Sequence, residues 1–216
     1  MEKTTEKPVG KIKSAVIVAN GKFPAHPVPL KKLRSAEFII ACDGAVKRLV
    51  NKKIIPDMII GDLDSISKKL KKRFKDRIIE DYGQDTNDLT KSVTWAKNNG
   101  FDKVTILSAT GKREDHTLGN ISLLYSYSRM LEVEMVTNKG VLKPIRQTST
   151  FNSIKGQQIS IFSNQPELKI NSKGLKYQLD GLQLRELWMG TLNEALGNKI
   201  TLEFENGEVI VFFSFE

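Results

Sequence analysis

The chain has 216 residues, which is long enough for one large domain or two small ones with a substantial hydrophobic core. Its composition, 39% hydrophobic and 27% charged, argues against extensive disorder, and no apolar run approaches the roughly 20 residues that cross a bilayer. The single Cys42 excludes an intrachain disulfide, and the polar N-terminus lacks the apolar segment of a secretory signal. We therefore expect a soluble, cytoplasmic protein without a membrane partner, in which residues 1–12 form a flexible N-terminus.

The formal net charge of +9 can reflect an anionic partner or a solvated basic surface. Basic residues are densest at 68–77, where Leu70 and Phe74 lie four positions apart. That spacing favours an amphipathic helix with a solvated basic face over a polyanion-binding surface. Nucleic acid is therefore not an expected partner.

Short apolar runs alternate with helical patterns from Ser14 to about Val136. Several of these runs are continuously apolar, which is typical of parallel strands covered on both faces. The predicted strands are 14–20, 37–42, 57–60, 77–81, 103–109 and 132–137, and the predicted helices between them include 45–50, 85–100 and 114–131. This alternation predicts a Rossmann-like α/β domain with an open, mostly parallel sheet over residues 13–140.

The pattern changes after about Gly140 to short β-like segments separated by turn residues. They predict an all-β sandwich over residues 141–216, with the boundary near 138–148. Asn206-Gly207 can adopt the positive φ angles of a tight turn and predicts a β-hairpin there.

Acidic residues follow four of the predicted strands or open the helices beyond them. Ligands bind beyond the carboxyl ends of parallel strands, so these acids should meet at one edge of the sheet. The segments are Asp43-Gly44-Ala45, Gly61-Asp62-Leu63-Asp64, Asp85-Thr86-Asn87-Asp88 and Glu114-Asp115-His116. Convergent carboxylates repel one another unless a hard cation neutralises them, and Mg²⁺ accepts such ligands together with phosphate oxygens. The pattern predicts a site for Mg²⁺ and a phosphorylated ligand.

Each acid by itself also has a simpler interpretation as a helix cap or turn residue, which applies to Asp43, Asp85, Asp88 and Asp115. The pair Asp62 and Asp64 is more specific. In extended backbone both would project to the same side, with Leu63 turned into the core. The chain has no Walker A and no G-x-G-x-x-G motif, so neither of these common nucleotide-binding loops applies.

Taken together and in order, these motifs resemble those of the thiamine pyrophosphokinase family. The resemblance rests on Asp-Gly-Ala at 43–45, Gly-Asp-Leu-Asp-Ser at 61–65, Gln-Asp-Thr-Asn-Asp-Leu-Thr-Lys at 84–91 and Ala-Thr-Gly-Lys-Arg-Glu-Asp-His-Thr-Leu-Gly-Asn at 109–120. Two C-terminal segments, 172–177 and 190–194, are similar to the thiamine-binding segments of that family. The resemblance extends over nearly the whole chain.

The resemblance implies transfer of pyrophosphate from ATP to thiamine, with Mg²⁺, by a homodimer that binds thiamine at its interface. The implied metal ligands are Asp62, Asp64 and Asp88, and these three with Asp43 form the implied catalytic set. Asp43 is the candidate to accept the proton of the thiamine hydroxyl, with Asp88 as the alternative. ATP would contact these four acids together with Gly44, Asn87, Lys91, Arg113, Asp115 and His116. Thiamine would contact Gln84, Asp85, Ser172, Leu175, Tyr177, Trp188 and Asn193.

Two other functions are compatible with the sequence. One is a different Mg²⁺-dependent nucleotide transferase that acts on another small alcohol. The other is a basic polyanion-binding module that uses the surface at 68–77.

Overall fold

The structure is a computed structural model that describes residues 12–216, so all but the last residue of the predicted flexible N-terminus at 1–12 lies outside the described residues. Six strands form the first part of the sheet: β1 (Ser14–Val18), β2 (Ile39–Cys42), β3 (Met58–Gly61), β4 (Ile78–Glu80), β5 (Lys103–Leu107) and β6 (Glu132–Val136). The helices are α1 (Pro27–Arg34), α2 (Val46–Asn51), α3 (Lys68–Arg73), α4 (Asp88–Asn98) and α5 (Glu114–Ser128). Short 3₁₀ helices occur at Asp43–Ala45, Lys75–Arg77 and Leu187–Gly190.

The first six strands are parallel and lie in the order β6-β5-β1-β2-β3-β4. From β1 the chain moves towards β4 and then returns to β5 on the other side of β1. This order is that of an open doubly wound sheet, and it confirms the predicted Rossmann-like fold of the N-terminal half.

Both faces of the parallel sheet are buried. Ile17 in β1 lies in one hydrophobic cluster with residues of α4 and α5, whereas Val16 and Val18 lie in the cluster on the other face with α1 and α2. Burial on both faces explains why several of the strand sequences are continuously apolar. Helix α4 buries Leu89, Val93 and Ala96 on one face, and it ends before Gly100, which has a φ of +75°.

Two of the predicted helices differ from the structure in detail. The predicted helix at 68–77 stops at Arg73 and continues as a separate 3₁₀ turn, although Phe74 is buried as the amphipathic pattern predicts. In α5, Leu118, Ile121 and Tyr125 have the spacing of one helix face, but this face is not all core, because Leu118 is 63% exposed. None of the helices in the part of the chain described here combines the length and the apolar character needed to span a membrane.

The C-terminal half is antiparallel and consists of eight strands. They are β7 (Gly140–Ile145), β8 (Ser149–Asn152), β9 (Gln158–Ser163), β10 (Lys169–Lys173), β11 (Leu182–Gln183), β12 (Asn193–Glu194), β13 (Lys199–Glu203) and β14 (Val209–Ser214). Strands β7, β14, β9 and β12 continue the parallel sheet beyond β6, which makes one sheet of ten strands. The other four strands form a second sheet in the order β11-β10-β13-β8, and side chains such as Ile161 and Leu202 pack in the cluster between the two sheets.

The hairpin predicted at Asn206-Gly207 is wrong. Asn206 has the expected positive φ of +50°, but β13 and β14 do not pair with each other. The turn carries the chain from the second sheet to the ten-stranded sheet. A tight turn fixes the local reversal of the chain, whereas burial of both strand faces decides which sheet each strand joins.

A buried glutamate connects the two halves of the chain. The Glu208 carboxylate accepts two hydrogen bonds from Arg129, at 2.7 and 2.6 Å, and Arg146 Nε lies 3.4 Å from its Oε1 atom. Arg129 follows the end of α5, whereas Glu208 immediately precedes β14. The hydrogen bonds from Arg129 lower the pKa of Glu208 below its usual range.

We expect Glu208→Gln to lower the free energy of unfolding by about 1–2 kcal/mol at neutral pH, because it removes a charge-assisted, bidentate ion pair. Glu205→Gln on the exposed side of the same turn is the matched control. Because the folded-state pKa of Glu208 is lowered, the stabilisation is present above the ordinary glutamate pKa of about 4.3 and is lost as the pH falls through the folded-state value. Urea unfolding at several pH values should show that the difference in the free energy of unfolding between the variant and the wild type becomes smaller in acid. A difference that stays constant from pH 7 to pH 3 would contradict the role of this carboxylate.

Candidate active site

The crevice in which ligands bind in this fold lies between the ends of β1 and β5, because the strand order reverses there. Two backbone hydrogen bonds join the loops that leave these strands: Gly21 N–H donates to Ser108 O at 2.5 Å and Lys22 N–H donates to Thr110 O at 2.7 Å. A Cβ atom at Gly21 would lie 2.3 Å from Ser108 O, so this approach requires glycine. Ser108 itself has a φ of +57°, and its buried Oγ has no partner among the described residues. Strained backbone of this kind clusters at functional sites.

Three acidic side chains meet at the neighbouring strand ends. Asp43 directly follows β2, Asp62 directly follows β3, and Asp88 begins α4. The Asp43 carboxyl group is within hydrogen-bonding reach of those of Asp62 and Asp88. Gly61 has a φ of +154°, and a Cβ atom there would lie 3.0 Å from both Asp43 Cβ and Asp88 Cγ. Glycine at the end of β3 therefore allows the acids to come together.

The carboxylates of this cluster are partly buried and repel one another, and little positive charge lies near them. Burial, followed by the nearby Asp43 and Asp62 carboxylates, raises the pKa of Asp88 to about 6. Burial also raises the pKa of Asp43, which is 5% exposed, although the Ser65 N–H donates a hydrogen bond to its Oδ2 atom at 3.2 Å. A cation beside the cluster would relieve this repulsion.

The expected geometry of Asp62 and Asp64 is wrong. The strand ends at Gly61, Leu63 has a φ of +65°, and the Asp64 N–H donates to Asp62 Oδ1 at 3.1 Å. The backbone thus turns instead of continuing in extended form, and Asp64 is exposed. The burial of Leu63 is as predicted. The alternation of side chains along a strand does not extend into a turn with a positive φ.

The donor chemistry of Asp43, Asp62 and Asp88 fits Mg²⁺, because every available atom is a carboxylate oxygen. Among residues 12–216, however, no group of three or more acidic, histidine or cysteine side chains converges closely enough to hold a metal ion by itself. Mg²⁺ is commonly bound by one or two carboxylates, with water and substrate phosphates as the other ligands. The arrangement therefore fits an ion that arrives with a phosphorylated ligand.

The polar side chains before and within the first turn of α4 mainly form hydrogen bonds and ion pairs with other residues of the chain. Asn87 caps the helix, since its Oδ1 accepts a hydrogen bond from Thr90 N–H at 2.8 Å. The buried Lys91 donates to the backbone oxygen of Asp81 at 2.7 Å, and its Nζ lies 4.0 Å from Asp88 Oδ1. Asp85 is exposed and does not cap α4. Roles of Asn87 and Lys91 in ATP binding stay predictions.

A cavity of about 250 Å³ lies between the β1 and β5 loops and the start of α5. Arg113 and His116 line it, as does Lys112. Arg113 donates to both carboxylate oxygens of Asp115, at 3.1 and 2.5 Å, and this pairing holds the pKa of Asp115 well below its usual range. The sequence motif at 109–120 therefore lies beside the switch point, which is the place between β1 and β5 where the strand order reverses. Asp115 of this motif is already neutralised by Arg113.

Asn20 and Arg48 are site residues that the sequence motifs did not identify. Arg48 donates to Asn20 Oδ1 at 2.7 Å and also to Gly21 O. A Cβ atom at Gly44 would lie 2.2 Å from the amide nitrogen of Asn20, so this amide lies against the residue that follows Asp43. The sequence did contain one signal for Asn20, the polar Asn20-Gly21 pair directly beyond the apolar run of β1. Residues at this position lie near the ligand crevice because β1 borders the switch point.

The C-terminal segments form a loop supported by buried polar residues. Asn193 is buried, and its side chain accepts from Tyr177 N–H at 3.0 Å and donates to Tyr177 O at 2.6 Å. Ser172 Oγ accepts from Leu179 N–H at 2.8 Å, and Leu175 is fully buried. The aromatic side chains point outward, with Tyr177 63% exposed and Trp188 72% exposed. Of the predicted thiamine residues in this half, the two aromatic ones are therefore available to a ligand.

The two groups of predicted thiamine residues lie at opposite ends of the ten-stranded sheet. Gln84 and Asp85 follow β4 at one edge, whereas Tyr177 is bonded to Asn193 of β12 at the other edge. Neighbouring strands are about 4.8 Å apart, so the nine spacings of this sheet correspond to about 40 Å. One copy of the chain does not bring the two groups together.

The fold and the site define a doubly wound α/β protein with three carboxylates and nearby basic side chains at the ends of its parallel strands. Two family profiles match the chain: "Thiamin pyrophosphokinase, catalytic domain" at residues 30–136 and "Thiamin pyrophosphokinase, substrate-binding domain" at residues 140–212. The matches cover most of the sequence, and the chain belongs to the thiamin pyrophosphokinase family. This family binds thiamine and uses ATP as co-substrate.

Individual relatives agree with this assignment. Thiamine pyrophosphokinase 1 of Oryza sativa subsp. japonica is 28% identical over 200 residues, which is 79% of this chain and 75% of the relative. The Bacillus subtilis thiamine pyrophosphokinase is 34% identical over 90 residues, 40% of this chain and 42% of the relative. The crystal structure of the Bacillus subtilis enzyme matches with a TM-score of 0.79 and 24% identity, over 94% of this chain and 99% of that one. The thiamin pyrophosphokinase of Candida albicans matches with a TM-score of 0.81 and 18% identity, over 94% and 90% of the two chains. These matches confirm the fold class.

We expect Asp88→Asn to raise the free energy of unfolding by about 1 kcal/mol in metal-free buffer at neutral pH, because it removes a partly buried charge that Asp43 and Asp62 repel. Lys91 keeps its hydrogen bond to the Asp81 backbone oxygen in this variant. Asp180→Asn, at an exposed position outside the cluster, is the control and should leave stability unchanged. Urea unfolding gives the measurement. If Asp88→Asn unfolds at lower urea than the wild type, the carboxylates do not repel one another as described.

Proposed function

We propose that this chain transfers the pyrophosphoryl group of ATP to the hydroxyl group of thiamine, giving thiamine diphosphate and AMP. The observation that carries the proposal is the meeting of Asp43, Asp62 and Asp88 around Gly61 in a chain whose two halves match the two domains of this family. The reaction requires the phosphate chain and the attacking hydroxyl to be held in line while negative charge is balanced.

Asp62 and Asp88 are the residues proposed to hold Mg²⁺. The ion, when bound with ATP, stabilises the charge that develops on the phosphate oxygens. The two carboxylates belong to separate segments, the end of β3 and the start of α4. Asp64 was predicted as a third ligand; the turn at Leu63 leaves its side chain exposed, and its role as a ligand stays a prediction.

Asp43 is the proposed acceptor of the proton that the thiamine hydroxyl loses. The Ser65 N–H fixes one oxygen of its carboxylate, and the acid lies between Asp62 and Asp88. A carboxylate held in this way accepts a proton without having to reorganise. Asp88 is the alternative acceptor.

The proposed thiamine site is shared between two copies of the chain. The separation of about 40 Å across the sheet prevents Gln84 and Tyr177 of one copy from touching the same ligand. The exposed Tyr177 and Trp188 lie close in sequence to the exposed apolar residues Leu187 and Leu192, and such residues favour contact with a partner. A homodimer related by a two-fold axis would place the aromatic residues of one copy beside the acids of the other. The cytoplasmic location stays a prediction.

The products of the reaction distinguish this proposal from other nucleotide-dependent transfers. Incubation with ATP, Mg²⁺ and thiamine should give AMP and thiamine diphosphate in equal amounts, and little AMP should form without thiamine. Asp62→Asn should lower the rate by at least about 100-fold, because charge stabilisation at the phosphate chain is lost. Asp180→Asn is again the control. Formation of ADP instead of AMP would show a simple kinase, and thiamine-independent AMP formation would indicate a different acceptor.

A mixing experiment tests the shared site. Asp62→Asn and the double variant Tyr177→Ala/Trp188→Ala should each be nearly inactive as pure proteins. After unfolding and refolding together in equal amounts, the mixture should recover about a quarter of wild-type activity, because half of the random dimers are mixed and each contains one intact site. Absence of recovery, together with a monomeric mass by light scattering, would show that one copy forms the site alone.

A further inference from the structure

Two cations share one oxygen atom beside the switch point. Asn20 Oδ1 accepts a hydrogen bond from Arg48 at 2.7 Å and another from Lys112 Nζ at 3.1 Å. Arg48 comes from α2 and Lys112 from the loop after β5, so two separate elements direct positive charge at the residue that follows β1. Within residues 12–216, no acidic side chain forms an ion pair with Arg48 or Lys112.

Two like charges this close repel each other, and an anion between them would relieve the repulsion. Partial burial, followed by the neighbouring Arg48 guanidinium, lowers the pKa of Lys112. Arg113 lines the same cavity, but its charge is already matched by Asp115. The uncompensated charge is therefore concentrated at Arg48 and Lys112.

Asn20 links this pair to the acidic cluster. Its Oδ1 faces the two cations, and its Nδ2 lies against Gly44, next to Asp43. Nδ2 donates no hydrogen bond to any other residue of the described chain, so the amide still has a donor for a ligand. Asn20 and Lys112 both line the cavity of about 250 Å³.

We propose that Asn20 and Lys112 bind the phosphate chain of the nucleotide on the side away from the carboxylates, and that Arg48 positions Asn20. Arg48 holds both Gly21 O and Asn20 Oδ1 with its guanidinium group, a geometry that lysine does not reproduce. This assignment rests on the proposed use of ATP. It adds to that proposal Asn20 and Arg48, which lie outside the recognised motifs, and it names the triphosphate, not the adenosine, as the recognised group.

Binding measurements without thiamine test the assignment independently of turnover. Isothermal titration in magnesium buffer would compare ATP, inorganic tripolyphosphate and adenosine. Lys112→Met and Arg48→Gln should weaken ATP and tripolyphosphate by about ten-fold or more, because each removes a charge-assisted contact or its support. Adenosine binding should not change. Lys47→Gln is the matched control, since it removes the same charge from an exposed position one residue before Arg48.

A double-variant comparison separates positioning from general damage to the fold. The double variant Asn20→Ala/Arg48→Gln should have the same ATP affinity as the weaker-binding of the two single variants, because Arg48 acts through Asn20. Arg48→Lys should remain weakened, since the charge is kept but the two hydrogen bonds are not. If Arg48→Gln fails to fold, Lys112→Met in the exposed loop carries the test.

Two results would overturn the assignment. One is unchanged tripolyphosphate affinity in Lys112→Met, and the other is a loss confined to adenosine, which would place the base in this cavity. Failure of the wild type to make thiamine diphosphate would refute the proposed reaction but would leave these affinities as a valid test of the anion site.

Discussion

Repulsion among carboxylates at the carboxyl ends of the parallel strands is the constraint on which the rest of the site depends. Asp43, Asp62 and Asp88 are brought together by the ends of β2 and β3, by the start of α4 and by the missing side chain of Gly61. The protein supplies partial relief through the backbone N–H groups of Ser65 and Gly44 at Asp43 and through Lys91, which lies 4.0 Å from Asp88. Folding energy from the buried sheet therefore maintains an arrangement in which the carboxylates repel one another, and a cation beside them would relieve that repulsion.

The opposite charges lie across the same crevice. Arg48 and Lys112 face Asn20 on the β1 side, and the amide of Asn20 lies against Gly44 beside the acids. A triphosphate that carries a divalent ion has the complementary distribution of charge, since its metal matches the carboxylates and its free oxygens match the cations. We therefore expect the proposed site to bind the metal and the nucleotide together more favourably than either alone. In the proposed complex the order of strands sets both the position of the ligand and its orientation.

Much of the fold was predictable from local patterns, and the errors have definite physical causes. Short apolar runs located all six parallel strands, and several of these runs are continuously apolar because burial on both faces demands it. The hairpin at Asn206-Gly207 failed because turn preference does not specify the strand partner, and β13 and β14 join different sheets. The joint projection of Asp62 and Asp64 failed because the strand ends at Gly61, before Asp62, and Leu63 adopts a positive φ. Neither the hydrogen-bond partner of a strand nor the residue at which it ends is encoded in side-chain periodicity alone.

The sequence by itself determined the parallel α/β half, the β-rich half and the four acidic motifs that resemble the family, because these depend on residue type and spacing along the chain. Only the tertiary structure decided that one sheet of ten strands runs through both halves and separates the two groups of thiamine residues by about 40 Å. It also decided that Arg48, Lys112 and Asn20 meet, since they come from three elements far apart in the chain. Contacts of this kind follow from the order of strands in the sheet, and that order is set by the packing of the whole molecule.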